Sequence, residues 1–188
     1  MLLLWNPYRR SGGQALDARS KRRNIIVVGF MGTGKSTVSK LLAEKLGWSR
    51  LDTDEEIVRL AGKSIPEIFA DEGEDRFRDL ESRVLETVLA GDRQIVATGG
   101  GAVLREQNRR LMLAEGWVVS LTASRQSLLE RVTAGAAAGT RPLLEGDAVE
   151  RIDTLLAGRK HAYDFAHATI DTSRRTPEQI ASMLVRWV

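Results

Sequence analysis

The sequence predicts an α/β fold in which a parallel sheet is covered by helices on both faces. Three observations predict it. Short apolar runs alternate with helical periods from Asn24 onward, no hairpin signal joins consecutive runs, and the first run leads directly into a glycine loop and a helix.

Ile25 to Val28 is an unbroken β-branched run, as in a strand buried on both faces. The helix beyond the glycine loop carries Val38, Leu41, Leu42 and Leu46 and ends at Gly47. Leu51 to Asp54 reads as a short second strand running into an acidic helix start, with Ile57 and Leu60 on the helix that follows. Ser64 and Glu67 have capping-box spacing. Phe77, Leu80, Val84, Leu85, Val88 and Leu89 then line one face of a long helix that stops at Gly91. Gln94 to Thr98, Trp117 to Leu121 and Ala168 to Asp171 complete a set of five strands. Ser124 opens a helix bearing Leu128, Leu129 and Val132, and Thr176-Pro177-Glu178-Gln179 opens the last helix. There is no internal repeat, and one low-complexity patch lies at Gly135 to Gly139.

A chain of 188 residues suits one domain with a small appendage. With 43% hydrophobic and 28% charged residues it is expected to be globular rather than disordered. No apolar run approaches the roughly 18 residues of a membrane span, so no membrane partner is expected. The absence of cysteine excludes disulfides and thiolate metal sites, and His161 and His167 are too few for a histidine-rich one. A cytoplasmic monomer is the expectation.

The net charge of +3 is unevenly placed. Arg9, Arg10, Arg19, Lys21, Arg22 and Arg23 face only Asp17 in residues 1–23, so the rest of the chain carries a net −2. That stretch reads as a poorly ordered basic extension, with an anchor for RNA or an acidic partner as the alternative. The Gly12-Gly13 pair argues against an amphipathic transit helix. The body, residues 24–188, is not a nucleic-acid binder by bulk charge.

Gly29-Phe30-Met31-Gly32-Thr33-Gly34-Lys35-Ser36 fits G-x-x-x-x-G-K-[ST], with a strand before it and a helix after it. Such a loop curls its N–H groups around phosphate oxygens at a helix N-terminus. Lys35 then bridges the β- and γ-phosphates, and the Ser36 hydroxyl serves Mg²⁺. The loop specifies a nucleoside triphosphate and leaves the acceptor open. Asp52-Thr53-Asp54 follows the second strand, where a parallel sheet opens its crevice. On an extended segment both carboxylates would face the same way, one for metal and one for a substrate hydroxyl. An acidic N-cap explains the same residues. Arg78 and Glu81, at i and i+3, form either a held guanidinium fork or an ordinary surface pair. Gly99, Gly100 and Gly101 allow close approach of backbone to a ligand, or a tight turn.

Taken together, GFMGTGKS, DTD, F-x-x-x-G-E-x-x-F-R from Phe69, GGG, RPLL from Arg141 and R-x-x-x-Y from Arg159 resemble the shikimate kinases over nearly the whole body. The resemblance implies a three-layer nucleoside-monophosphate-kinase-like fold, with a five-stranded parallel sheet and a mobile lid. It implies ATP-dependent phosphorylation of the 3-hydroxyl of shikimate with Mg²⁺. Gly32, Thr33, Gly34, Lys35, Ser36 and Thr37 would then cradle the ATP phosphates, with Ser36 and Asp52 serving the metal. Asp54 would bind the substrate hydroxyls and act as base. Arg78 and Arg159 would clamp the carboxylate, Glu81 would support Arg78, and Gly99 to Gly101 would add backbone contacts. Arg141 would reach in from the lid, while Arg131 and Arg175 would flank adenine. Phe69 and Phe77 resemble the wall behind the substrate ring, although two core phenylalanines produce the same pattern. The small residues from Thr133 to Thr140 suit a lid, or a plain linker. The alternatives are a gluconate-type sugar-acid kinase and a non-catalytic nucleotide binder with an RNA-binding tail.

Overall fold

The computed structural model describes residues 24–137, 148–159 and 161–188. The expectations for residues 1–23, for Arg141 and for the last part of the proposed lid lie outside these residues.

Five strands form one parallel sheet: β1 (Asn24–Gly29), β2 (Ser49–Asp52), β3 (Gln94–Ala97), β4 (Gly116–Thr122) and β5 (Ala168–Asp171). Their order is β2-β3-β1-β4-β5. All six residues of β1 are buried, in agreement with its β-branched run. It runs in register with β4 from Asn24 opposite Gly116 to Gly29 opposite Leu121. The connections from β1 to β2 and from β3 to β4 leave on opposite sides of the central strand. In parallel sheets such a switch point is where ligands bind, beyond the carboxyl ends of the strands.

The helices are α1 (Lys35–Leu46), α2 (Thr53–Ala61), α3 (Ile65–Leu89), α4 (Glu106–Glu115), α5 (Arg125–Ala137), α6 (Ala148–Gly158) and α7 (Pro177–Val185). Strand alternation sorts the core into two layers. Ile25 and Val27 pack with Val38, Leu42, Ile180 and Leu184 on the α1/α7 face. Ile26 and Val28 pack with Phe77, Leu85, Leu89 and Met112 on the α3/α4 face. A third cluster of Phe30, Leu128, Val132 and Ile152 fastens the glycine loop to α5 and α6. No helix among the described residues is long and apolar enough to cross a membrane.

Both capping boxes form: Ser64 with Glu67, and Thr176 with Gln179. The structure also corrects the sequence reading. The second strand ends at Asp52, and α2 starts at Thr53, so Asp54 lies in the first helical turn rather than on an extended segment. On α2, Ile57 is fully buried and Leu60 is 49% exposed. Two helices, α4 and α6, and a 3-10 turn at Ala102–Leu104 were not expected. In α4 only Asn108 and Met112 are buried, so it has no apolar stripe to detect.

Candidate active site

The glycine loop leaves β1 and enters α1 through Gly34, which adopts φ 92° as the N-cap. A side chain on Gly34 would strain that left-handed backbone. Thr33 is buried, and its hydroxyl donates to the Phe30 carbonyl at 2.8 Å, closing the loop from inside. Lys35 Nζ also donates to the Phe30 carbonyl, at 3.0 Å. The loop therefore holds its cation across its own mouth. Ser36 and Thr37 follow on the exposed first turn of α1, where unpaired N–H groups and the helix dipole favour anions.

Ser36 Oγ donates to Asp52 Oδ2 at 3.2 Å. Asp52 Oδ1 accepts from the Asp54 backbone N–H at 3.2 Å, which makes Asp52 the N-cap of α2. The capping and functional explanations of the Asp-Thr-Asp segment are thus compatible. Asp52 caps, and its capping places Asp54 in the first turn of α2, facing the triple glycine. The Ser36 hydroxyl and Asp52 carboxylate are hard oxygen donors side by side at the loop mouth. That donor set fits Mg²⁺, which takes one or two protein oxygens and completes its shell with phosphates and water.

The triple glycine follows β3, and the residues expected to bind the acceptor converge on it. The Gly99 N–H donates to the buried Thr53 hydroxyl at 2.9 Å. A Cβ on Gly99 would lie 2.6 Å from Asp54 Oδ1 and 3.0 Å from Glu81 Oε1, so both carboxyl groups rest against this residue. A Cβ on Gly101 would lie 2.3 Å from Arg78 Nη1. The Gly100 carbonyl accepts from the Tyr163 hydroxyl at 2.8 Å and from Arg159 Nη1 at 3.4 Å. Arg159 also stacks over the Phe30 ring at 5.8 Å, which ties the acceptor side to the glycine loop.

Helix α3 delivers Arg78 and Glu81. It is broken at Gly73 (φ 81°), which separates the capped first segment from the one bearing these side chains. Arg78 Nη1 donates to Glu81 Oε2 at 2.8 Å, Nη2 donates to Glu74 at 3.1 Å, and the guanidinium lies 5.2 Å over the Phe77 ring. Phe77 is a core residue, and Phe69 packs on it with ring centroids 4.6 Å apart. Phe77 therefore forms a floor for the arginine and part of the core at once.

Electrostatics follow from this packing. Burial pushes the Asp54 carboxyl above its ordinary value of 3.8; Asp52 adds to the rise, while Lys35 and Arg78 oppose it. Burial likewise raises Glu81, against the lowering effect of Arg78. Glu81 Oε1 is buried without a hydrogen-bond partner among the described residues. For Arg78, burial works against the cation, but the Glu81 and Glu74 carboxylates prevail and raise its pKa.

The two remaining arginines sit at the end of β5. Arg131 donates to the Gly32 carbonyl at 3.3 Å and to Thr172 through its hydroxyl and carbonyl, each at 2.9 Å. Arg175 donates to the Asp171 carbonyl at 2.8 Å and lines a shallow depression with Arg174, Glu178 and Arg186. Thr53, Arg50 and Thr172 were not expected from sequence. Each holds another site residue, and even Thr53, which lies within Asp-Thr-Asp, carries no sign of that role in the sequence.

A family model described as shikimate kinase matches residues 31–188. The shikimate kinase of Thermodesulfovibrio yellowstonii is 41% identical over 165 residues, covering 87% of this chain and 94% of the relative. That of Geobacter sulfurreducens is 41% identical over 178 residues, covering 94% and 97%. The structure of shikimate kinase from Acinetobacter baumannii in complex with shikimate superposes with a TM-score of 0.82 at 36% identity, covering 90% of this chain and 96% of that one.

Proposed function

The chain belongs to the shikimate kinase family, and from that premise we propose that it transfers the γ-phosphoryl group of ATP to the 3-hydroxyl of shikimate. One observation carries the assignment of roles. Asp54, Glu81 and Arg78 converge on the triple glycine that follows β3, beside the strand that ends in the phosphate-binding loop.

The reaction needs in-line positioning and charge neutralisation rather than a covalent intermediate. The substrate hydroxyl oxygen attacks the γ-phosphorus, the bond to the β–γ bridging oxygen breaks, and ADP leaves. The hydroxyl proton passes to Asp54, whose raised pKa makes it a better proton acceptor than an ordinary carboxylate. Arg78 and Arg159 grip the substrate carboxylate, a task for which the planar guanidinium is suited. Glu81 holds Arg78, and the Gly99–Gly101 backbone lies against the substrate ring. Gly32 to Thr37 cradle the phosphates, Lys35 spans the β- and γ-groups, and Arg131 and Arg175 border the base. Ser36 and Asp52 would hold Mg²⁺, which supplies charge neutralisation on the phosphates when bound. Arg141 is assigned to the phosphates on family resemblance alone. The proposed enzyme is a cytoplasmic monomer that acts on a small molecule.

Neither a gluconate-type kinase nor a non-catalytic nucleotide binder is favoured. The relatives are shikimate kinases over nearly their whole length, and Lys35, Asp52 and Asp54 are all present. The test is coupled ADP release with shikimate, quinate, gluconate and nucleoside monophosphates as acceptors. Shikimate should give the highest kcat/KM, and a preference for gluconate would overturn the assignment.

A further inference from the structure

Arg50 belongs to none of the motifs above, yet it touches the metal-holding carboxylate. It lies on β2, two residues before Asp52, with its side chain only 23% exposed. Nη2 donates to Asp52 Oδ2 at 2.8 Å, the same oxygen that accepts from Ser36. Nε donates to Ser39 Oγ at 3.3 Å, and Ser39 in turn donates to the Ser36 carbonyl at 3.0 Å. Nη1 meets both oxygens of Glu55 at 3.2 Å. One guanidinium thus joins β2, α1 and α2 directly behind the residues assigned to the cation.

Two roles are open to such a group. It can orient the Asp52 carboxylate, or it can set the charge that a divalent cation meets there. Orientation is already supplied from two other sides: Oδ1 is fixed by the Asp54 N–H, and Oδ2 accepts the Ser36 hydroxyl. What Arg50 adds to these is a positive charge in direct contact with Asp52. Guanidinium does not deprotonate in proteins, so that charge is permanent. A fixed cation bonded to a carboxylate that would hold the metal lowers the negative potential available to it. Glu55 offsets Arg50 from the far side, but it is 66% exposed and largely screened by solvent.

We infer that Arg50 is a built-in counter-cation that loosens divalent-metal binding in the nucleotide complex, with Glu55 as its partial antidote. This rests on the assignment of Ser36 and Asp52 to the metal. The arrangement keeps the carboxylate rigid while limiting how tightly the metal–nucleotide product is retained.

The probe is Mn²⁺ bound to the full-length protein saturated with ADP, followed by the EPR signal of free Mn²⁺ and therefore independent of turnover. Arg50→Met should tighten Mn²⁺ about three- to tenfold, the order expected for removing one nearby unit charge. Glu55→Gln should weaken it by roughly twofold, because the offset is lost from an exposed position. Arg50→Lys, which keeps the charge, should stay near wild type. Asp52→Asn should weaken Mn²⁺ strongly. A mere structural clip predicts that Arg50→Met and Glu55→Gln weaken binding together, and that result, or an unchanged Arg50→Met, overturns the inference. If Arg50→Met does not fold, Arg50→Lys still separates the two: a counter-cation leaves it near wild type, whereas a clip that needs the planar fork loses affinity, a result that overturns the inference, and Glu55→Gln at wild-type affinity rejects the counter-cation as well. If Asp52→Asn leaves Mn²⁺ binding unchanged, the metal assignment itself fails and takes the role of Arg50 with it.

Discussion

Arg78 and Glu81 stand one turn apart on α3, with Nη1 and Oε2 2.8 Å apart and the Glu81 side chain 1% exposed. A guanidinium held this way by a buried carboxylate has its fork aimed before any ligand arrives, so little ordering remains to be done on binding. Arg159, placed on the neighbouring Gly100 carbonyl, is held separately.

That arrangement makes charge alone insufficient. Replacing Arg78 or Arg159 with Lys keeps the charge and loses the two-point fork. Each substitution should weaken shikimate binding by about 1.5 to 3 kcal/mol, the range for hydrogen bonds to charged groups, with ATP affinity nearly unchanged. The two losses should be non-additive, since both act on one carboxylate. Titration of shikimate and of a neutral hydroxymethyl analogue checks this. Equal losses on both ligands would place the arginines on phosphate instead.

On the nucleotide side, Lys35→Ala removes a cation that the loop itself holds at its mouth through the Phe30 carbonyl. The loss in kcat should be on the order of 10²-fold or more, because positioning cannot replace charge stabilisation in the transition state. Asp52→Asn should raise the Mg²⁺ concentration needed for half-maximal rate while leaving the KM for shikimate within a few-fold. An unshifted Mg²⁺ titration would remove Asp52 from the metal site.

How far the sequence disclosed this site depends on what kind of information each residue carries. Gly34, Lys35 and Ser36 were legible because their spacing is imposed by phosphate geometry and needs no knowledge of the rest of the chain. The sheet was legible from Ile25–Val28 and the helical faces between strands, since burial on both sides leaves an unbroken apolar run. Asp54 is marked by the Asp-Thr-Asp motif, but the geometric argument for it fails. Spacing alone puts it on an extended segment, yet the capping of α2 by Asp52 carries it into the first helical turn. Residues that act through others were invisible. Thr53 holds Gly99, Thr172 holds Arg131 and Arg50 holds Asp52, and all three look like ordinary polar residues until the fold brings their partners together. Helix α4 was missed for a different reason, because with Met112 as its one fully buried apolar residue it shows no period to read.

The raised pKa of Asp54 makes it a stability liability of known sign. Its folded-state value lies above the ordinary 3.8, through burial first and Asp52 second. The charged form is therefore disfavoured by folding: stability is greatest below the unfolded value and falls as pH rises through the folded one. Asp54→Asn should accordingly raise the Tm of the ligand-free protein at neutral pH. The gain should shrink as pH falls toward 3.8, while phosphoryl transfer is lost throughout. Melting curves across that range decide the matter, and a Tm gain that grows on acidification would refute the sign.

The contact between Gly101 and Arg78 tests whether this arginine reaches the acceptor. A Cβ at Gly101 would lie 2.3 Å from Arg78 Nη1 and 2.7 Å from Cζ, both at the far end of a flexible side chain. Gly101 has φ −98°, a conformation open to any residue, so Gly101→Ala meets no backbone strain. The guanidinium must move, and its bond to Glu81 must lengthen or break. Gly101→Ala should therefore lower the Tm by a few degrees, because the buried Glu81 carboxylate loses part of its partner. Its KM for shikimate should rise roughly tenfold, the cost of one displaced charged hydrogen bond, with the KM for ATP unchanged. Because the effect runs through one side chain, it should vanish in an Arg78→Ala background, where the added methyl group has nothing to displace. A Gly101→Ala penalty that persists at full size without Arg78 would mean that the methyl group meets the substrate itself, and that Arg78 sits aside from the acceptor.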